Sequence, residues 1–145
     1  MIRIKIRIAN SNDLASWNAN VNKNPKGTIF HNIDWLRITE KHSHSKFFPL
    51  VGYKGDALVF LFPIFLMRKF GINFVLSPPP GGSQYMGPLF FFPNQKQSGI
   101  ESIMKQCIEK SILFIEKNIT SKINLFNINL ISNVDVRPFT WNGFV

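Results

Sequence analysis

Three histidines and one cysteine are the side chains of this chain best suited to hold a metal or relay a proton. A zinc site needs at least about three ligands at recognisable spacing. His42-x-His44 supplies one pair, and Cys107 stands far along the chain. The pattern therefore predicts no metal site. Cys107 falls on the apolar stripe of a helical segment, where a thiol is buried and inert. His31 precedes a second helical pattern and is expected to cap it or pack against its start. No Ser-His-Asp, paired-carboxylate or P-loop arrangement is present, so no residue is assigned a catalytic role.

The loop Ser77–Gly87 is the other place where chemistry can be sought. Pro78, Pro79 and Pro80, then Gly81, Gly82 and Gly87, surround Gln84 and Tyr85. Prolines stiffen its first half, and glycines allow close backbone approach in its second. Long ordered loops in small domains are often functional.

The elements that must position these residues follow from periodicity. Ile2, Ile4, Ile6 and Ile8 share one face of a first strand within Met1–Ile8, with basic residues on the other. Asn10-Ser11-Asn12-Asp13 is a capping cluster, and a helix is expected from about Asp13 to Val21. Asn24-Pro25-Lys26-Gly27 is a turn, Thr28–His31 reads as short and extended, and Asn32 or Asp34 opens a second helix that ends at His42–Ser45. Lys46–Tyr53 and Ala57–Met67 flank a Lys54-Gly55-Asp56 turn, and a turn at Arg68–Gly71 leads into Ile72–Leu76. That is an antiparallel meander. After the Pro/Gly loop, Gln97–Asn118 carries an apolar helical stripe, and Ile123–Ile131 reads as a strand buried on one face. Residues 134–145 read as a turn followed by the start of an apolar strand. Since a domain rarely stops part-way into such a strand, the chain is expected to be the front part of a larger fold.

Composition sets the class. With 45% hydrophobic residues in 145, and 15 phenylalanines that need partners, the chain is expected to fold around a core as one α+β unit. The longest apolar run, Ala57–Met67, contains Pro63 and is well short of the about 20 residues that cross a bilayer. The N-terminus lacks the apolar core of a signal peptide, and a lone cysteine fits a cytoplasmic protein. The net charge of +9, from 17 basic and 8 acidic residues, favours polyanion partners such as RNA. The cations are spread widely, however, with local concentrations at Arg3/Lys5/Arg7, at Lys41 to Lys46 and at Arg68-Lys69. The phenylalanines mostly neighbour Ile, Leu or Pro, as in a core.

That element order comes with a set of short words. They are Asn24-Pro25-Lys26-Gly27-Thr28-Ile29-Phe30-His31 leading to Trp35-Leu36, and Phe48-Pro49-Leu50-Val51-Gly52-Tyr53. Phe62-Pro63-Ile64-Phe65 follows, then Ser77-Pro78-Pro79 with Gly81-Gly82 and Tyr85-Met86-Gly87-Pro88, and finally Asp135-Val136-Arg137-Pro138-Phe139-Thr140-Trp141. In this order they resemble the first half of Fem-type N-acyltransferases, a branch of the GNAT-fold acyltransferases. The resemblance spans essentially the whole chain.

The resemblance implies a GNAT-like unit with a mostly antiparallel central sheet and helices packed on it, incomplete at its C-terminus. It implies the N-terminal, non-catalytic half of an enzyme that transfers an acyl or aminoacyl group to an amine. It places the loop near the substrate channel, with Gly81, Gly82, Gln84, Tyr85 and Gly87 as substrate-binding positions. The family's competent units hold pyrophosphate on a Gln/Arg-x-x-Gly-x-Gly/Ala loop at a helix N-terminus. Residues 94–100 occupy that position with a single glycine, which reads as an ordinary capped helix. No cofactor is expected in this unit, while the complete enzyme would use acyl-CoA or aminoacyl-tRNA. The expected partner is the remaining C-terminal half. Two other readings are a basic nucleic-acid-binding module and a self-associating one, in which Trp141 and Phe144 pair across a dimer.

Overall fold

A computed structural model describes residues 3–93, 95–132 and 134–145. Strand β1 (Ile4–Ile8) buries Ile4 and packs Ile6 on the core, while Met1 and Ile2 lie outside the described residues. Helix α1 (Ser11–Lys23) starts two residues before the expected Asp13, because Asn10 is its cap. The Asn10 side chain accepts the Asp13 N–H (3.0 Å), and the Asp13 carboxylate accepts the Asn10 N–H (2.8 Å). Asp13 does more than cap. It is buried, forms an ion pair with Arg7 on β1, and accepts the Tyr53 hydroxyl from the next strand at 2.6 Å. Burial alone would raise its pKa, but the bonds from Arg7, Tyr53 and Asn10 hold it below the ordinary carboxylate value. Asp13→Ala is expected to cost about 2 kcal/mol in urea unfolding, the net of several charge-assisted bonds lost while half-exposed Arg7 can turn to water.

Thr28–His31 is not extended. Ile29–His31 forms a 3-10 turn, because Thr28 Oγ1 accepts the Phe30 N–H (3.2 Å) and His31 Nδ1 accepts the Thr28 N–H (3.2 Å). Helix α2 (Ile33–Ser43) opens at Asn32, whose side chain accepts the N–H groups of Asp34 and Trp35.

The meander forms as the turn chemistry predicts, from β2 (Lys46–Lys54), β3 (Ala57–Lys69) and β4 (Ile72–Ser77). Helix α3 (Gln97–Asn118) then crosses to β6 (Leu125–Ile128), which pairs parallel to β4. A two-residue strand β5 (Leu89–Phe90), invisible in the sequence pattern, pairs with β3 at Phe60 and Leu61. The chain is thus α+β, and its described residues form a six-stranded, mostly antiparallel sheet in the order β1-β2-β3-β4-β6 with β5 joined to β3. Among the described residues no helix is long and apolar enough to cross a membrane.

Ala57–Met67 lacks alternation because β3 is covered on both faces. Phe60, Phe62, Ile64 and Leu66 pack with Ile103, Cys107, Ile108 and Ile115 of α3. Leu61 and Phe65 pack with Trp17, Val21, Ile33 and Leu36 of the first two helices. Burial pushes the Cys107 thiol pKa up, as expected of an inert core cysteine.

The expected C-terminal strand does not form. Arg137–Thr140 is a short helix, α4, and no strand occurs between Val134 and Val145. Asp135 explains the start: its carboxylate accepts the Arg137 backbone N–H (3.0 Å) and guanidinium (2.8 Å), with Pro138 in the first turn. Phe139 is buried, and Phe144 meets both Phe126 (5.1 Å between ring centres) and Phe139 (5.8 Å). Phe144 is therefore engaged within the chain, while Trp141 stays half-exposed under the Arg137 guanidinium.

Candidate functional site

The loop Ser77–Gly87 bridges a break in the sheet. On one edge of β3, β4 pairs with residues 65–69 and β5 with residues 60–61. Between them lies Pro63, which has no N–H to offer a neighbouring strand. Its carbonyl accepts the Ser77 hydroxyl instead (2.6 Å), and Ser77 Oγ in turn accepts the Gly87 N–H (3.0 Å). One serine thus pins both ends of the loop to the break.

A second latch comes from the other side. Nδ1 of His31 accepts the Thr28 N–H, so its proton sits on Nε2 and is donated to the Gly87 carbonyl at 3.1 Å. Trp17 Nε1 donates to the His31 carbonyl at 2.7 Å. Both backbone groups of Gly87 are therefore held. His31 is 2% exposed, and burial drives its pKa down to about 4 against the pull of the Gly87 and Met86 carbonyls. His31 packs before α2, as the sequence suggested, but its larger role is to fix the loop's return.

The loop then splits in two. Pro78 and Pro79 on one side and Met86, Gly87 and Pro88 on the other are buried, and Met86 N–H donates to the Asn129 carbonyl beside β6 (2.8 Å). Pro80, Gly81, Gly82, Gln84 and Tyr85 form an exposed tip. The tip is braced on α2: Trp35 Nε1 donates to Ser83 Oγ at 2.8 Å, and Phe30 packs edge-on against Trp35. Four of the five expected substrate positions, Gly81, Gly82, Gln84 and Tyr85, therefore share one surface, with Tyr85 41% exposed. Gly87 does not join them; it belongs to the buried base.

What the tip can do is bind. It offers backbone groups with no side chain over them at Gly81 and Gly82, a carboxamide, a phenol, and the neighbouring indole of Trp35. These groups can hydrogen-bond and stack, so positioning is the chemistry they offer. Ser77 and Trp35 stand in the family-like words, but the sequence assigns a role neither to them nor to Ser83.

Two other places are poorer candidates. A capped start is expected over residues 94–100, but among the described residues Lys96, at the start of α3, makes no side-chain hydrogen bond to the helix. Asn94, part of that expectation, lies outside the described residues. A recess of about 360 Å³ is lined by Lys5, Arg7, Asn10, Asp13, Tyr53 and Asp56, but its buried carboxylate is already engaged by three donors. Among the described residues, no cluster of His, Cys, Asp and Glu is suited to hold a metal. Compared with known proteins, the sequence matches no family and no curated protein.

Proposed function

We propose that this chain is the first, non-catalytic unit of a cytoplasmic Fem-type N-acyltransferase, and that its Ser77–Gly87 loop faces the substrate channel. The observation that carries the reading is a convergence at the loop base. Thr28 and His31, Pro63, and Ser77 with Gly87 come from three of the family-like words, far apart in sequence, and they meet in one hydrogen-bonded junction. The element order supports it too: a strand, two helices, an antiparallel meander, then a helical crossover to a parallel strand. In this reading a substrate amine attacks an activated acyl donor, a thioester or a tRNA ester, directly. The unit contributes position and hydrogen bonds, and the catalytic groups come from the partner half.

Tyr85→Ala should lower kcat/KM for N-acyl transfer by the complete enzyme about tenfold, through loss of substrate positioning, with the fold intact. Unchanged binding and turnover would contradict the placement of the loop. The rival reading, a basic RNA-binding module, predicts RNA affinity that falls steeply with salt and no saturable thioester binding.

A further inference from the structure

The β3–β4 hairpin ends in a two-residue turn, Phe70-Gly71, closed by the Lys69–Ile72 pair. Both turn residues have positive φ, 54° at Phe70 and 74° at Gly71. Such turns favour Asn-Gly or Gly-Gly, and a bulky aromatic is an unfavourable choice for the left-handed position. No packing offsets that cost, since Phe70 is 93% exposed. A strained local choice with no return inside the chain points to a partner outside it.

The surroundings say what kind. Arg68 and Lys69 flank the ring and are exposed. Ile72 lies on the same strand face as Phe74, and Leu125 of β6 pairs with Phe74; Ile72 and Leu125 are 40% and 48% exposed. The chain has no acidic residue between Asp56 and Glu101, nor between Glu116 and Asp135, so the hairpin and β6 meet the outside without carboxylates of their own. The base is stiff. Arg68 Nε donates to Asn73 Oδ1 (3.1 Å), Asn73 N–H to Asn124 Oδ1 (2.9 Å), and Asn73 Nδ2 to the carbonyl of Lys122, a further exposed cation (3.0 Å).

We propose that this hairpin tip is an anchor for an anionic lipid surface, with Phe70 entering the headgroup–acyl boundary and Arg68, Lys69 and Lys122 meeting lipid phosphates. An exposed aromatic at the tip, with Arg68 and Lys69 beside it and the exposed Ile72 and Leu125 on one face behind it, matches the layering of a membrane interface. The aliphatic Ile72 and Leu125 favour lipid over stacked bases, which would call for a platform of rings.

The test is co-sedimentation of the chain with phosphatidylcholine vesicles, with and without phosphatidylglycerol. Binding is expected only with the anionic lipid, and it should weaken as salt rises. Phe70→Gly suits the left-handed backbone and so preserves the fold, yet it should reduce partitioning about tenfold through the lost ring. Replacing both Arg68 and Lys69 by Ser should reduce it about thirtyfold. No binding to the anionic vesicles, or equal binding by Phe70→Gly, overturns the proposal. So does Phe70-dependent binding of single-stranded RNA without vesicle binding, which would assign the tip to nucleic acid.

Discussion

Acidification from neutral pH to about pH 4 is expected to remove about 3 kcal/mol of stability through His31 alone. The sign follows from which state holds the proton. The unfolded chain protonates His31 near the ordinary value of 6.5, whereas in the fold burial has pushed it down to about 4. Between those values the unfolded state binds more protons, so stability falls as pH drops and levels off below the folded value. Asp13 and Asp135, both held below the ordinary 3.8, add their own losses only at still lower pH. The polar partners of the ring are the Thr28 N–H and hydroxyl and the Gly87 and Met86 carbonyls, none of which titrates in this window. Urea unfolding across the range checks it. His31→Gln, which keeps a donor and an acceptor but no titration, should flatten the slope; an unchanged slope would mean that another group carries it.

Gly87→Ala is expected to destabilise the protein by about 3 kcal/mol, combining left-handed strain with overpacking. The φ of Gly87 is 84°, and a Cβ there would lie 2.5 Å from Leu130 Cδ2 and 3.2 Å from Ile128 Cγ2. Leu130 can yield in part, but Ile128 is β-branched and sits on β6. The backbone cannot move aside either, because Ser77 and His31 hold its N–H and its carbonyl. Gly81→Ala is the control. It also has positive φ, 107°, but an added Cβ meets nothing within 4 Å, so only the strain remains, roughly half the cost. Equal midpoints for the two variants in chemical denaturation would contradict the place of Gly87 in the loop's buried base.

Elements with a strong period or strong turn chemistry were legible in the sequence. The bounds of α3 follow from its apolar stripe, and the meander follows from the turns at Lys54-Gly55-Asp56 and Arg68–Gly71 between β-rich runs. What escaped is short and depends on tertiary contact. β5 has two residues and exists because β3 leaves an edge free beyond Pro63. The 3-10 turn needs the Thr28–His31 bond, and α4 owes its form to Asp135 and to the pocket that receives Phe139. At the candidate site, proline and glycine marked the loop and its exposed tip. They could not separate Gly87 from Gly81 and Gly82, because that distinction lies in His31, Ser77 and Leu130. Trp35 stands in a family-like word, but nothing local ties it to Ser83; their bond spans 48 residues.

A loop tip that faces an acyl-transfer substrate should respond to that substrate in amide NMR. The chain would be titrated with acetyl-coenzyme A and with an aminoacylated mimic of the tRNA acceptor arm. The account predicts saturable shifts, with at least one of the two probes, concentrated at Gly81, Gly82, Ser83, Gln84, Tyr85 and the Trp35 indole N–H. Shifts centred elsewhere, or no saturable response to either probe, would contradict it.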